Sequence, residues 1–237
     1  TGIEWTRSDD GTEGSTWNPV TGCDRTSPGC DHCYALTLAA RLKAMGQANY
    51  QNDGDPATSG PGFAVTVQPH MLDQPLRWTR ARRIFVNSMS DLFHLDVPVD
   101  YIARVFAVMH LASQHTFQVL TKRSKRMLEV LTDPTFPDQV SAAVEQLTAP
   151  VTEGGLGPVA ARAVRPGGLV WPLPNVWVGV TVESDRYSFR ARDLAGVPAA
   201  VRFVSAEPLL SPVPSLDVKL VDWVIAGGES GPGARPM

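Results

Sequence analysis

Val176-Trp177-Val178-Gly179-Val180-Thr181-Val182-Glu183-Ser184 runs from a nearly continuous apolar stretch into a carboxylate and a hydroxyl. Such a run suits a short strand buried on both faces, as in a parallel sheet. The same design recurs on either side of it. Ile84-Phe85-Val86 leads into Asn87-Ser88-Met89-Ser90-Asp91, and Thr116 to Leu120 leads into Thr121-Lys122-Arg123. Val201 to Val204 leads into Ser205-Ala206-Glu207-Pro208, and Asp222 to Ala226 into Gly227-Gly228-Glu229-Ser230. A shorter segment, Trp17 to Thr21, reads as an irregular first strand, and Phe63 to Val67 alternates like another short one.

Helical periodicity fills several of the gaps. Ile102, Val105, Phe106 and Met109 mark one apolar face behind Pro98, and Met127, Leu128 and Leu131 a shorter one behind Ser124. Ser184 is placed to cap a helix running to Gly196. Alternating strand and helix predicts an α/β fold, either a barrel or a doubly wound sheet. Polar groups at the ends of many strands favour the barrel, where such ends converge on one mouth. Residues 133–174 break the rhythm and read as an insertion within a single domain spanning 1–237. Ser8 to Ser15 reads as a surface loop.

The chain has 237 residues, a net charge of −3 and 43% hydrophobic residues, which suits one packed domain and excludes a globally basic nucleic-acid binder. No apolar run approaches the ~18–20 residues of a membrane span, and nothing reads as a signal peptide. An odd count of three cysteines argues against a disulfide framework, so a reducing, cytoplasmic setting is expected.

All three cysteines lie in Gly22-Cys23-Asp24-Arg25-Thr26-Ser27-Pro28-Gly29-Cys30-Asp31-His32-Cys33-Tyr34. Ala35, Leu38, Ala39, Leu42 and Met45 follow at helical spacing, and Gly46 can end that helix. Cys33 therefore stands at a helix N-terminus, which favours a thiolate. The loop reads as a soft-metal site. Three readings stay open on spacing alone. They are a 4Fe-4S cluster on three thiolates with one open iron, a zinc site completed by a histidine, and a metal-free loop of small residues. His32, inside the Cys-x-x-Cys pair, is poorly placed as a fourth ligand.

These motifs carry a resemblance. Asn18 to Cys23 and Ser27 to Ala35 resemble the phage-type three-cysteine family, the phage gene-product thirty-seven/sixty-eight family of unknown function. So do Phe85 to His94, Gln118 to Arg123, Asn175 to Val180, Arg202 to Leu210 and Gly227 to Arg235. That family is in turn similar to radical S-adenosylmethionine enzymes of the spore-photoproduct-lyase-like group. In this chain the gap between Cys23 and Cys30 is longer than in the usual radical motif, and His32 stands where an aromatic residue is common.

The resemblance implies a partial (β/α)6 TIM-like barrel of mostly parallel strands with the cysteine loop after the first strand. It implies a 4Fe-4S cluster on Cys23, Cys30 and Cys33 and S-adenosylmethionine as cofactor, generating a 5′-deoxyadenosyl radical. On that reading Ser88, Ser90 and Asp91 hold the methionyl amino group, and Glu183 and Ser184 the ribose or carboxylate. Lys122 meets a substrate carboxylate or phosphate, with Glu207 and Glu229 as candidates for proton transfer. The resemblance also implies a further strand beyond Met237. The rival expectation is a zinc- or cluster-binding accessory protein that acts through a protein partner without catalysis of its own.

Two basic clusters remain. Arg77, Arg80, Arg82 and Arg83 precede a strand and belong at the far face. Lys122, Arg123, Lys125 and Arg126 follow one and belong at the mouth, where they would steer a nucleic acid or nucleotide substrate.

Overall fold

A computed structural model describes residues 3–7, 11, 13–150, 155–156, 160, 168–229 and 233–237. Its main sheet has six strands, all parallel: β1 (Ser15–Trp17), β4 (Arg83–Val86), β5 (Thr116–Thr121), β6 (Val176–Thr181), β7 (Val201–Ala206) and β8 (Trp223–Ala226), side by side in that order. β2 (Val20–Thr21) and β3 (Thr66–Val67) form a separate antiparallel pair. The helices are α1 (Tyr34–Ala44), α2 (Val99–Leu111), α3 (Ser124–Thr132), α4 (Phe136–Thr148) and α5 (Phe189–Ala195). The fold is thus the expected α/β partial barrel, open between its edge strands β1 and β8.

The alternation of side chains along each strand divides the sheet into two faces. Trp17, Ile84, Val86, Phe117, Val119, Val176, Val178, Val180 and Val204 are buried in the main core with residues of α2, α3, α4 and α5. α2 is apolar on nearly every side. It lies in that core with α4, and Phe106 meets Phe136 of α4 with ring centroids 5.5 Å apart.

The opposite, concave face is read off the register, which aligns Leu120, Gly179, Phe203 and Trp223 in one row and Thr181, Ser205 and Ile225 in the next. Toward the N-terminal ends of the strands this face is closed by aromatic rings. Trp5 packs on Phe85 at 4.8 Å, Phe203 at 6.1 Å and Trp223 at 6.5 Å, and Trp177 on Trp223 at 5.9 Å.

Two expectations need correction. The first strand, expected over Trp17–Thr21, is broken at Asn18-Pro19: β1 joins the main sheet, whereas β2 pairs with β3 and leads into the cysteine loop. Of Phe63 to Val67 only Thr66–Val67 is strand. Phe63 turns away instead to pack with Ala35, Ala39 and Met89. The 133–174 stretch, read as an insertion within the domain, contributes α4 to the main core. Phe136, Val140 and Leu147 of α4 are fully buried in the main core, because a second helix in the β5–β6 crossover covers α2. Parts of that stretch, positions 8–10 and 12 of the Ser8 to Ser15 tract, and positions 230–232 lie outside the described residues.

Candidate metal and cofactor site

The cysteine loop starts at Gly22, where φ is +83°. Gly22 bridges Ser90 in parallel and donates its N–H to the Met89 carbonyl at 2.9 Å. A Cβ here would lie 2.1 Å from the Ala64 carbonyl oxygen, so both the backbone angle and the close approach require glycine. A 3₁₀ turn over Pro28–Cys30 then brings Cys30 round. Cys33 stands as the residue before α1, as expected, and a Schellman turn at Gly46 ends that helix.

Cys23, Cys30 and Cys33 are free, half-buried, and line one cleft of about 620 Å³ at the C-terminal ends of the strands. Burial pushes the Cys23 thiol up to about 12. Asp91, Cys30 and Cys33 add to the rise and Arg123 opposes it. For Cys30 burial also acts upward, but Lys122 and the backbone and side-chain groups of Thr26 and Ser27 outweigh it, so its thiol is lowered. The Thr26 and Ser27 hydroxyls lie 3.9 and 4.0 Å from the Cys30 Sγ.

Arg123, at the end of β5, ties the loop to the sheet. Its Nη1 donates to the Cys23 Sγ at 3.6 Å and its Nη2 to the Asp24 carbonyl at 3.4 Å. Asp24 accepts from the Thr58 hydroxyl at 2.6 Å and meets the buried His94 Nε2 at 3.0 Å. Burial works against the Asp24 carboxylate, yet bonds from Thr58, Ser59 and His94 hold it below its ordinary range.

The eight other predicted site residues divide. Ser88, Ser90, Asp91, Lys122, Glu207 and Glu229 line the cleft with the cysteines. Glu183 and Ser184 do not line it. The Glu183 carboxylate is fully buried and paired with Arg190 at 2.8 Å, behind Gly29 of the cysteine loop. Its expected role toward a ribose or carboxylate is corrected to that of a buried ion pair beneath the loop. Ser184 precedes a 3₁₀ turn over Asp185–Tyr187 and makes no side-chain cap bond; α5 begins only at Phe189.

Within the cleft, several groups are already committed. Asp91 accepts from Thr121 Oγ1 at 2.7 Å, Phe93 N at 3.0 Å and Lys122 N at 3.1 Å, so it fastens the end of β5 to the turn after β4. Ser90 donates to the Val20 carbonyl at 2.7 Å, and Ser88 shares 3.2 Å bonds with Asn18. Glu229 is held by Arg235 at 2.6 Å and His32 at 2.9 Å. Hydrogen bonds from Arg235 bring Glu229 down to about 2. Arg235 also reaches the Pro28 carbonyl at 2.9 Å, so the C-terminal segment is latched onto the cysteine loop. Lys122, whose Nζ is 3.5 Å from Thr181 Oγ1, and Glu207, beside Gly227, remain turned to the cleft.

Sequence reasoning missed Asn87, Asp24 and Trp5 as cleft residues and Arg235 as a latch. Asn87 had a visible signal, since it directly follows a strand that ends in predicted site residues. The basic mouth cluster is also narrower than expected. Arg126 donates to the Leu95 and Val97 carbonyls and Lys125 is exposed on α3, leaving Lys122 and Arg123 in the cleft. Arg82 and Arg83 sit over Trp78 and Trp177, at the far ends of the strands as expected.

Among the described residues, no group of three or more His, Cys, Asp or Glu side chains could hold a metal ion as it stands. Nor is any helix of those residues long and apolar enough to cross a membrane. Comparison with curated proteins and with solved structures finds no significant match. Residues 1–237 match the family described as protein of unknown function (DUF5131), and the chain belongs to that family.

Proposed function

We propose that this protein is an iron–sulfur protein that uses S-adenosylmethionine reductively, as radical S-adenosylmethionine enzymes do. The observation that carries the reading is the meeting of three free cysteines in one cleft at the C-terminal ends of six parallel strands. Three free thiols are the soft donor set that a 4Fe-4S cluster with one open iron would take. His32, the nearest candidate for a zinc ligand, is bonded to Glu229 instead.

The surroundings of the sulfurs support the same fit. Arg123, Lys122 and the hydroxyls of Thr26 and Ser27 would offset the negative charge of bound thiolates and tune their donor strength. A cluster with an open iron supplies one-electron reduction of the sulfonium, the step that side chains alone cannot perform. This chain's own residues bind and shield. Trp5 and Phe85 wall the cleft on its apolar side and exclude water. Lys122 offers an ammonium to an anionic group, with Thr181 and Ser205 beside it in the cleft lining. Glu207 is the carboxylate available to hold or move a proton at the same mouth. A nucleic acid or nucleotide is the substrate class this cation supports.

Incubation of anaerobically purified, reconstituted protein with dithionite and S-adenosylmethionine tests the proposal. Release of 5′-deoxyadenosine is expected. Bound iron without any such product would favour a cluster-binding accessory protein acting with a partner, and bound zinc without iron would sink the reading.

A further inference from the structure

Asn87 combines two unfavourable features at one position. Its φ is +62°, the one non-glycine positive φ among the described residues. Its side chain is 3% exposed, and both amide atoms, Nδ2 and Oδ1, are buried without a hydrogen-bond partner. The residue lines the cleft that holds the three cysteines.

The turn that holds Asn87 is fastened from several sides. Asn18 Oδ1 accepts from Met89 N at 3.0 Å, Tyr34 donates to the Ser88 carbonyl at 2.6 Å, and Ser90 donates to the Val20 carbonyl at 2.7 Å. Asn87 N is itself bonded to the Trp17 carbonyl at 2.8 Å. A conformation over-determined in this way keeps its strain. Asparagine tolerates the left-handed region better than most residues, but glycine meets that backbone demand without burying an unpaired amide. The backbone alone therefore does not account for the side chain.

We infer that Asn87 reads the donor–acceptor edge of a nucleobase. Its amide offers one N–H donor and one carbonyl acceptor side by side, whichever way it is flipped. A carboxylate or phosphate supplies acceptors only and leaves Oδ1 unpaired; an ammonium supplies donors only and leaves Nδ2 unpaired. A base edge supplies one of each, the pairing by which asparagine recognises adenine in duplexes. Trp5 and Phe85, with rings 4.8 Å apart, and Leu120 line the cleft beside it and suit a planar heterocycle. Lys122, in the same lining, suits the phosphate or ribose that a base carries. The inference rests on reading the cleft as a ligand site, but not on the presence of a cluster.

Calorimetric titration of the full chain with adenosine, guanosine, cytidine and uridine tests it, alongside Asn87→Asp, which removes the donor, and Asn87→Gly, which removes the side chain and relieves the backbone. At least one nucleoside should bind, and both variants should weaken it about tenfold or more. The thermal midpoint of unliganded Asn87→Gly should equal or exceed that of the parent. Competition by S-adenosylmethionine would identify the base as the cofactor's own adenine, and simultaneous binding would identify it as the substrate's. Absence of nucleoside binding, affinity unchanged in the variants, or a lower midpoint in Asn87→Gly would overturn the inference. Iron content and 5′-deoxyadenosine release are scored separately, so a failed cluster reading and a failed base reading give different results.

Discussion

The two ends of the parallel sheet are made from the same strands and have opposite chemistry. At the N-terminal ends the concave face is filled by Trp5, Phe85, Trp177, Phe203 and Trp223, ring against ring. One row further on, Thr181, Ser205 and Ile225 open into a cleft with the cysteines, Lys122 and Glu207. The closed end is held by apolar burial and the open end by ion pairs and charge-assisted bonds. A barrel that lacks full closure needs its concave interior filled at one end if it is to keep a cavity at the other.

The division can be broken most severely at an ion pair beneath the open end. Glu183→Ala leaves the Arg190 guanidinium buried without its 2.8 Å partner. A loss of ~3–5 kcal/mol is expected in denaturant unfolding. At the closed end the sensitivity is to volume. A Cβ on Gly179 would lie 2.5 Å from the Phe203 ring, so Gly179→Ala should cost ~1–3 kcal/mol while leaving the cysteines' reactivity unchanged.

Lys122→Met should do the reverse. Its effect on stability should stay within about 0.5 kcal/mol, since the side chain is only half-buried. Removing the cation that lowers the Cys30 thiol should raise that thiol's titration, so the midpoint of the pH profile of alkylation in metal-free protein shifts upward. The smallest effect is at the latch. Glu229 is lowered from 4.5 to about 2, chiefly by Arg235, so its contribution is complete above pH 4.5 and lost as pH falls toward about 2. Protection of the Arg235 amide, taken as its exchange rate relative to the unprotected peptide at the same pH, should fall over that interval, and Glu229→Gln should remove that pH-dependent change in protection.

The legible part of this molecule was whatever follows from local pattern. Apolar runs such as Val176 to Val180 gave away five strands, and Cys33 before a helical period gave the start of α1. The break at Asn18-Pro19 was not legible, because Trp17 to Thr21 is too short for alternation to distinguish one strand from two. Glu183 looked like the other strand-end polar groups. What sets it apart is Arg190, the second residue of α5, which holds its carboxylate in a buried pair outside the cleft lining. Arg235, Trp5 and α4 owe their positions to contacts between segments far apart in sequence. The strained φ of Asn87 comes from fastenings by Asn18 and Tyr34, and no single stretch encodes it.

The central claim is that the open end holds an iron–sulfur cluster on three thiolates. Iron and acid-labile sulfide in anaerobically purified protein, measured for the parent and for Cys23→Ala, Cys30→Ala and Cys33→Ala, test it most directly. The account predicts iron and sulfide in equal amounts in the parent and loss of both in each variant. Zinc alone in the parent, or a full complement of iron and sulfide retained in any of the three variants, would contradict it.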